Sequence, residues 1–352
     1  MKIAILNDTH CGIRNSSDIF MKYQERFYSE IFFPYLLENG IEQILHLGDY
    51  YDNRKTINIK ALNHNREIFL DKLREYQIKM DIIPGNHDTF FKNTNNLNSL
   101  KELMGHYINE VDIIMDPVVR EYGDVKFGIV PWINPENEKQ CNDFLANCGA
   151  DVIGGHFEIG GFEMDVGFLC KDGMDSKPLE RFELVLSGHF HTRSNQGNIH
   201  YLGSQMQFSW TDAEDPKFFH VYDTETRTLT PVENPLKLFQ KVYYDEDKIN
   251  YFEDLSHLDN KFVKLIVSNR SDMKKFERYV DRIQQQKIHE LKIAEDFNEF
   301  RGENVSDEDL KVDDTQTLIY NYIQEVDTDL DKDRIKGVVS ELMIEAQSVE
   351  IA

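Results

Sequence analysis

The sequence predicts an α/β fold in which a second sheet packs on a first, and two features of its order support this. Over roughly the first 225 residues, short apolar runs typical of strands alternate with stretches whose apolar residues recur at helical spacing. The later apolar runs follow one another with little helix between them, which indicates a second sheet. The length of 352 residues allows two or three domains and a sizeable core.

The predicted strands are short apolar runs, and several of them end in Gly, Asn, Asp or His. Polar residues therefore follow the strands at the sheet edge where α/β proteins place their chemistry. Segments 18–38 and 58–76 are predicted helices, and Phe20, Tyr23 and Phe27 recur at helical spacing in the first of them. The predicted strands are 3–6, 43–47, 80–84, 126–131, 151–154, 183–187, 199–202 and 217–222.

Residues 224–238 are predicted to form the exit from this region, since Pro231 and Pro235 are typical of loops. A smaller α+β unit is expected to follow, and a polar, acidic stretch after it is predicted to be a linker. The predicted domains are 1–230 for the main α/β unit, 237–297 for the small unit (strand 262–267, helix 272–286, strand 290–294), 298–314 for the linker and 315–352 for two terminal helices.

The two terminal helices are predicted from apolar residues at helical spacing. A free helical pair with apolar stripes has no core of its own, so another protein surface must cover these stripes. That cover is either a partner coiled coil or the body of this same chain. The two stripes consist of Leu318, Ile319, Tyr322, Ile323 and Val326, and of Ile335, Val338, Val339, Leu342, Met343 and Ala346.

Five short motifs, each after a predicted strand, carry the candidate chemistry. Each motif alone is weak, but together they contain five of the twelve histidines of the chain in company with Asp and Asn. Glycines beside four of the motifs allow tight turns that bring side chains together. The motifs are Asp8-Thr9-His10, Gly48-Asp49-Tyr50-Tyr51-Asp52, Gly85-Asn86-His87-Asp88, Gly154-Gly155-His156 and Gly188-His189-Phe190-His191.

These residue types predict a centre for two divalent cations, which needs oxygen ligands, imidazoles and one carboxylate that reaches both ions. Asp8 and His10 flank Thr9, so at an extended strand end both side chains would project to one side. A water shared by two cations loses its proton near neutral pH and would serve as nucleophile. The predicted ligands are Asp8, His10, Asp49 and His191 for one ion, and Asp49, Asn86, His156 and His189 for the other.

The five motifs resemble those of the calcineurin-like metallophosphoesterases over about residues 1–225. The resemblance implies a two-sheet αββα sandwich and a dinuclear centre of two Mn²⁺ ions, with Mg²⁺ also compatible. It implies that His87 acts as general acid and that Asp88 orients its ring. Asp52 is expected to support the metal ligands, with a plain loop carboxylate as the alternative.

The order of domains resembles the SbcD family of DNA double-strand-break repair nucleases, which has eukaryotic, archaeal and phage members. The segment Tyr201-Leu202-Gly203-Ser204-Gln205, with Phe208 downstream, is similar to the segment that follows the last metal motif in that family. The length and acidic composition are similar to the recombination nuclease subunit of T-even bacteriophages.

The family resemblance implies a function and a set of partners. The function is that of a manganese-dependent exonuclease and endonuclease subunit in recombination and double-strand-break repair, acting on double- and single-stranded DNA. The small α+β unit would be a capping domain that contacts DNA, and the subunit would form a homodimer. The C-terminal helical pair would bind an SMC-like coiled-coil ATPase that controls access of DNA to the centre.

Two other functions remain open. One is a protein or small-molecule phosphomonoesterase of the same superfamily. Protein phosphatases place Arg after the second motif and end the third motif in Glu, whereas this chain has Asn53 and Asp88 there, which disfavours that function. The other is a non-catalytic scaffold for an ATPase, which is disfavoured because no metal or acid position is lost.

The net charge of −24 argues at first against a nucleic-acid partner, because phosphate binding usually needs a basic face. From residue 295 onward, however, the chain has 17 acidic and 5 basic residues, so half of the net charge lies in the linker and terminal helices. We expect weak, metal-dependent binding of DNA by this subunit alone. The candidate phosphate contacts are Arg14, Arg54 and Arg193 after the metal motifs, and Lys274, Lys275, Arg278 and Arg282 on the helix of the small unit. For the four residues of the small unit, a solvated helix face is the alternative.

The sequence also predicts a cytoplasmic protein. No run approaches roughly 18 apolar residues, and the first apolar run is too short for a signal peptide. The four cysteines show no CxxC spacing and are expected to be free thiols, as in a reducing cytoplasm. If the chain is encoded by a phage, this would be the cytoplasm of its bacterial host.

Overall fold

A computed structural model of the chain describes residues 1–165, 168–171, 173–295 and 332. The chain divides into two units, Met1–Ala294 and Glu295–Ala352, and the description below concerns the first. The linker and terminal helices predicted for 298–314 and 315–352 lie outside the described residues, apart from the single position 332. Within the described part, no helix has the length and apolarity needed to cross a membrane.

The first unit contains two six-stranded sheets and two smaller ones. The strands are β1 Lys2–Leu6, β2 Gln43–His46, β3 Lys79–Ile82, β4 Val111–Ile113, β5 Val118–Tyr122, β6 Val125–Val130, β7 Val152–Gly155, β8 Glu163–Asp165, β9 Phe168–Leu169, β10 Leu184–Ser187, β11 Ser194–Gln196, β12 Ile199–Tyr201, β13 Lys217–Asp223, β14 Thr228–Asn234, β15 Phe239–Asp245, β16 Phe262–Asn269 and β17 Glu290–Glu295.

The helical elements are shorter and are joined in places by turns of different pitch. The α-helices are Ile13–Ser16, Asp18–Arg26, Phe33–Glu38, Ile59–Asn65, Asp71–Tyr76, Ser99–Leu103, Glu138–Asn147 and Met273–Gln284. π-Helical segments occupy Phe27–Phe32 and Arg66–Leu70, and 3₁₀ turns occupy Gly105–Tyr107, Lys177–Leu179, Thr211–Glu214 and Ser256–Leu258.

The two large sheets confirm the predicted two-sheet architecture. The first has the order β14-β13-β1-β2-β3-β4, and the second has the order β11-β12-β10-β7-β6-β5. Strands β1 to β4 are parallel to one another, as are β6, β7, β10 and β12. Apolar residues of both sheets meet in one core, among them Ile3, Ile5, Leu45, Phe127 and Leu186. All eight strands predicted for this region are present.

The predicted helices 18–38 and 58–76 are also confirmed, but each contains a π-helical segment that the sequence pattern did not predict. Pro34 follows the first of these segments and lacks the N–H that a regular helix would use. The two segments pack together through aromatic rings, with Phe32 stacked on Phe69 at 6.4 Å between ring centroids. Both segments belong to the core on the outer face of the first sheet.

The predicted exit at 224–238 is wrong in its first part, because Thr228–Asn234 is the edge strand β14. It pairs antiparallel with β13 along its whole length, and Pro231 lies opposite His220. An edge strand tolerates proline because one side of it needs no hydrogen bonds to a neighbour. The first large sheet therefore continues to Asn234, beyond the predicted boundary at residue 230.

The small α+β unit is a three-stranded sheet of β15, β16 and β17 with the helix Met273–Gln284 on one face. It has its own apolar core, to which Tyr244, Leu265, Tyr279 and Ile283 belong. The side chain of Asp272 caps the helix by accepting hydrogen bonds from the main-chain N–H groups of the first turn. Strand β15 was not predicted from the sequence, whereas the other three elements were.

Candidate metal centre

The five motifs converge at one edge of the sandwich, beyond the C-terminal ends of parallel strands. Asp8 follows β1, Asp49 follows β2, and Asn86 follows β3 in the first sheet. His156 follows β7 and His189 follows β10 in the second sheet. The chain order of the motifs thus becomes a ring of polar side chains across both sheets.

The first group of donor atoms comes from Asp8, His10 and His191, whose candidate ligand atoms all lie within 4.8 Å of one another. The Nε2 atoms of His10 and His191 are 3.0 Å apart. Each of these nitrogens lies 4.0 Å from Oδ1 of Asp8. Such a set of imidazole nitrogens and carboxylate oxygens suits a divalent transition-metal ion.

The second group consists of Asp49, His156 and His189, again with ligand atoms within 4.8 Å. Oδ1 of Asn86 lies 3.0 Å from Nε2 of His156 and 2.9 Å from Nδ1 of His189, so the amide oxygen belongs to this group. Oδ2 of Asp49 is 3.3 Å from Nε2 of His156 and 4.0 Å from Nε2 of His10. Asp49 therefore lies between the two groups, as a carboxylate that reaches both ions must.

The backbone that carries these side chains is strained. Asp8, His10, Asp49 and His189 have φ angles of 49°, 44°, 54° and 88°, in the left-handed region that non-glycine residues seldom adopt. This corrects the expectation that Asp8 and His10 project together from an extended strand end, because β1 already ends at Leu6. Strain of this kind clusters at functional sites, where surrounding contacts hold it.

Close backbone approach explains one of the motif glycines. A Cβ atom on Gly85 would lie 2.2 Å from Oδ1 of Asp49 and 2.3 Å from its main-chain nitrogen. No larger residue fits at that position without displacing the carboxylate between the two groups. The glycine of the third motif is therefore required by packing against the second motif.

The electrostatics of the ring favour cation binding. Burial alone would raise the pKa of Asp49, but the charge and hydrogen bond of His156 outweigh it and hold that pKa well below its usual value. Burial lowers the pKa of His156, yet the charge and hydrogen bond of Asp49 raise it overall to about 9. A bound cation can take the place of the proton that these two groups share.

Two of the remaining donors, His189 and His191, are in the form that metals require. Burial, followed by the charge of His156, lowers the pKa of His189 to about 3, and burial lowers that of His191 well below its usual value. Both imidazoles are therefore neutral near pH 7 and present free lone pairs. Burial raises the pKa of Asp8, which shows that the protein alone supplies too little positive charge for this carboxylate. The donor set fits divalent metal ions.

His87 lies beside the ring without belonging to either of these groups. Its Nδ1 lies 2.6 Å from the main-chain oxygen of Asp52, and its main-chain N–H donates to Oδ1 of Asp49 at 2.7 Å. The side chain of His87 lines a cavity of about 330 Å³ together with Asp49, His189 and His191. His87 therefore faces the same cavity as the candidate ligands of both groups.

Asp88 does not orient the ring of His87, contrary to expectation. Its buried carboxylate accepts hydrogen bonds from the main-chain N–H groups of Tyr50, Tyr51 and Gly85 at 3.1, 3.0 and 2.9 Å. These bonds tie the second motif to the third from behind the ring. The partner of the His87 ring is the carbonyl of Asp52, while Oδ1 of Asp52 lies 3.3 Å from Nδ1 of His10.

The basic residues suggested by the sequence differ in what they contact. Arg14 donates two hydrogen bonds to the carbonyl of Phe208, at 3.3 and 3.2 Å, and Arg193 lies over the ring of Phe218. Arg54 is the one of the three that reaches the centre, where it donates to the main-chain oxygen of Asn86.

On the helix of the small unit, the expected phosphate-facing edge is largely occupied. Lys275 pairs with Glu246 at 3.3 Å, and Arg282 donates to the carbonyls of Tyr251 and Glu253. Arg278 donates to the carbonyl of Lys274 at 3.1 Å. These bonds engage the basic side chains within the small unit. Fewer lysine and arginine side chains are therefore available to contact phosphate than the sequence suggested.

Several residues that support the centre were missed in the sequence. Gln24 donates to the carbonyl of Thr9 at 2.8 Å, and Asn7 donates to Oδ2 of Asp8 at 2.6 Å. Lys217 is buried and donates to the carbonyl of His191 at 3.0 Å. None of these lies in a motif, but Asn7 directly precedes Asp8 and could have been found from that adjacency.

Comparisons with known proteins agree with this geometry. A sequence model described as "Calcineurin-like phosphoesterase" matches residues 1–193. "Exonuclease subunit 1" of Enterobacteria phage T4 is 28% identical over 350 residues, covering 98% of this chain and 99% of the relative.

Two solved structures show a weaker likeness. A novel archaeal phosphodiesterase is 14% identical, with 66% of this chain and 100% of that chain covered and a TM-score of 0.33. A protein of Thermus thermophilus is 9% identical, with 66% of this chain and 98% of that chain covered and a TM-score of 0.40. TM-scores this low add nothing to the assignment.

Proposed function

The chain belongs to the calcineurin-like phosphoesterase family, and from that premise we propose that it is a metal-dependent DNA nuclease. It would act as exonuclease and endonuclease within a recombination and double-strand-break repair complex. The observation that carries the proposal is the pair of adjoining donor groups with Asp49 between them and His87 at their side. The similarity to a phage exonuclease subunit along nearly the whole chain supports DNA as the substrate.

Two divalent cations, which we propose to be Mn²⁺, would supply Lewis acidity that activates water and offsets charge on the phosphoryl oxygens. Asp8, His10 and His191 would hold one ion, and Asn86, His156 and His189 the other, with Asp49 reaching both. His87 would donate a proton to the leaving oxygen, since its Nε2 is the ring nitrogen not engaged by the carbonyl of Asp52. Asp52 positions both His87 and His10.

The path of DNA away from the centre is supported by a row of lysines on the small unit. Lys241 of β15 and Lys264 of β16 are direct partners in the parallel register, and Lys292 of β17 acts electrostatically on Lys264. Neighbours of like charge destabilise a sheet, and Glu214 offsets only part of this charge through its pair with Lys241 at 2.5 Å, so a polyanionic ligand would stabilise the row. Strand alternation places this row on the face opposite the helix, because Val263 and Leu265 point into the module core.

The lysine row is connected to the metal centre. A cavity of about 470 Å³ is lined by Lys241, Lys264 and Trp210, with Nζ of Lys264 lying 4.4 Å from the centre of the Trp210 ring. Thr211 lines both this cavity and the cavity of the metal centre. A DNA strand could thus lie on the lysines while one of its phosphates reaches the donor groups. Glu214 and Asp215 line the same cavity as the lysines, so the charge along this path is mixed. Mixed charge is consistent with weak binding of DNA by this subunit alone.

The proposed partners are a second copy of this chain and an SMC-like ATPase. The homodimer would pair through the helical stretches 18–38 and 58–76, and its support is the family resemblance of the sequence. The ATPase would bind the segment 315–352, for which the support is the sequence pattern. An SMC-like ATPase would supply much of the grip on DNA and control its access.

The proposal is tested with the full-length chain, linear single- and double-stranded oligonucleotides, and p-nitrophenyl phosphate as a monoester. We expect DNA cleavage with Mn²⁺ that disappears with a chelator. Asp49→Asn should abolish cleavage, and Asp124→Asn, an exposed carboxylate in a hairpin turn, serves as the matched control with unchanged activity. Hydrolysis of the monoester without any cleavage of DNA would instead support the phosphomonoesterase alternative.

A further inference from the structure

A second cavity adjoins the metal centre, and its lining differs from that of the centre itself. It has a volume of about 280 Å³ and is bordered by the apolar side chains of Trp132, Phe157 and Met174. His156 lines it as well, so the cavity lies directly beside the second donor group. This volume is close to the lower end of the range for small-ligand sites, roughly 300–1,000 Å³.

We propose that this cavity receives a nucleobase of the DNA substrate, from a nucleotide that flanks the attacked phosphodiester, and that Trp132 is the surface on which the base stacks. The inference rests on the proposed nuclease function. It adds a subsite that recognises the base, whereas the metal centre and the lysine row recognise phosphate.

Trp132 is not explained as a core residue. It belongs to none of the apolar clusters among the described residues, although its neighbour Ile133 packs against one of them. The other tryptophan of the chain, Trp210, does pack against a core and lies edge-on to Phe239 at 5.0 Å. A large aromatic ring that is half-buried at a cavity wall, outside any core, is typical of a stacking platform.

The main chain of Trp132 is held firmly in place. Its N–H donates to the carbonyl of Pro84 at 3.0 Å, and its own carbonyl accepts from the side chains of Asn95 at 2.8 Å and Asn137 at 3.0 Å. Pro84 directly precedes the motif that contains Asn86. The platform is therefore fixed relative to the metal centre, and a base can bind without an ordering cost to the loop.

The charge of the cavity favours a base over a second phosphate. Glu138 and Glu158 line it, and Oε2 of Glu158 lies 4.0 Å from Nε2 of His189. Carboxylates repel phosphate but accept hydrogen bonds from the amino and imino groups of base edges. The amide of Asn142, also in the lining, can donate or accept. A neutral aromatic ring with N–H donors is the ligand that suits these walls.

The first experiment is a double-mutant cycle between Trp132 and the base, using oligonucleotides with an abasic residue on either side of a defined cleavage position. For the unmodified chain, we expect one of the two abasic substrates to lower kcat/KM by about 5- to 150-fold, the size of one lost stacking contact. Trp132→Ala should cause a similar loss on intact DNA and be insensitive to the abasic residue. Trp132→Phe should recover part of the loss, and Phe252→Ala, at a 95% exposed aromatic, is the matched control.

Additive losses in this cycle, or equal cleavage of intact and abasic DNA, would overturn the subsite while leaving the nuclease function intact. Failure of the unmodified chain to cleave any DNA would overturn the proposed function instead. The two failures are thus distinguished by the activity of the unmodified chain on intact DNA.

The second experiment does not depend on catalysis. The chain has two tryptophans, so Trp210→Phe leaves Trp132 as the sole indole fluorophore. With Mg²⁺ present and binding followed by anisotropy of a labelled short oligonucleotide, intact DNA should quench Trp132 fluorescence, whereas DNA with the relevant abasic residue should bind without quenching. Saturated binding of intact DNA with unchanged Trp132 fluorescence would refute the stacking contact.

Discussion

Two buried clusters of charged side chains lie at the same edge of the first sheet, and they balance their charge in different ways. In the cluster around Lys217, Nζ lies 2.5 Å from Asp212 and 2.8 Å from Asp215, so the chain supplies its own cation. In the metal centre, Asp8 and Asp49 are surrounded mainly by imidazoles, and burial raises the pKa of Asp8. One cluster is complete in the folded chain, whereas the other needs divalent ions to become so.

This difference in charge balance indicates that the Lys217 cluster has a structural role and the metal centre a chemical one. The Lys217 cluster fixes a loop, because Oδ2 of Asp212 accepts from the main-chain N–H groups of Phe208 and Ser209 at 2.8 and 3.0 Å. The ring of Phe208 in turn lies edge-on to those of His10 and His191 at 5.5 Å. The self-sufficient cluster therefore supports one side of the metal centre, and substitutions in the two clusters should fail in different assays.

The largest effect is expected for Asp49→Asn, which removes the carboxylate that lies between both donor groups. Loss of one shared anionic ligand removes several kcal/mol of charge stabilisation, so we expect a decrease in DNA cleavage of at least about 1,000-fold. Calorimetric titration with Mn²⁺ should show fewer or weaker sites. Retention of both sites and of normal cleavage would contradict the assignment of Asp49.

A large effect of another kind is expected for His87→Ser. Loss of a general acid lowers rates by about 100- to 10,000-fold, but His87 lies outside the proposed ligand set, so metal binding should be unchanged. The measurement combines single-turnover cleavage with the same calorimetric titration. Cleavage at the normal rate would exclude His87 as the acid, and loss of metal would make it a ligand.

The sequence predicted which donor residues come together better than the way in which they are held. Motif spacing was enough for Asp8, Asp49 and His156 because strand ends bring such residues to one edge. The left-handed φ angles depend on tertiary contacts that no local pattern encodes. The partner of His87 is a main-chain carbonyl, which is not visible as a residue type, and this is why Asp88 was given the wrong role.

The same limit applies away from the centre. Lys217 stands in an apolar strand run, and only the fold brings Asp212 to it. Proline in β14 suggested a loop, since the sequence does not show that this strand lies at a sheet edge. Ten strands and three helical stretches had clear periodicity and were predicted, whereas edge strands such as β5 and β14 and the π-helical segments were not.

A smaller effect in activity, but a large one in stability, is expected for Lys217→Met. Removal of the cation leaves the negative charges of Asp212 and Asp215 uncompensated, which should lower the free energy of unfolding by about 3–5 kcal/mol. Because this cluster does not depend on divalent ions, the loss measured by urea denaturation should be the same with Mn²⁺ and with a chelator. Adding Asp212→Asn to the variant should recover part of the stability. A loss of stability that appears only with Mn²⁺ would contradict the prediction, because the Lys217 cluster would then depend on the same ions as the metal centre.

The smallest effect is expected for a single carboxylate of the small unit, Glu246, which lies outside both buried clusters and pairs with Lys275 at 3.3 Å. Hydrogen bonds from the main-chain N–H and hydroxyl groups of Ser271 and the N–H of Asp272 lower its pKa to about 2, with the bond from Asp272 contributing most. A carboxylate with a depressed pKa stabilises the fold above its unfolded pKa, near 4.5, and the contribution disappears as the pH falls towards 2. The difference in Tm between the unmodified chain and Glu246→Gln should therefore be constant from pH 7 to 5 and shrink below pH 4.5. A Tm difference that grows on acidification would contradict this prediction. It would mean that the negative charge of Glu246 destabilises the folded state, whereas the charge of Lys217 is compensated by its neighbours.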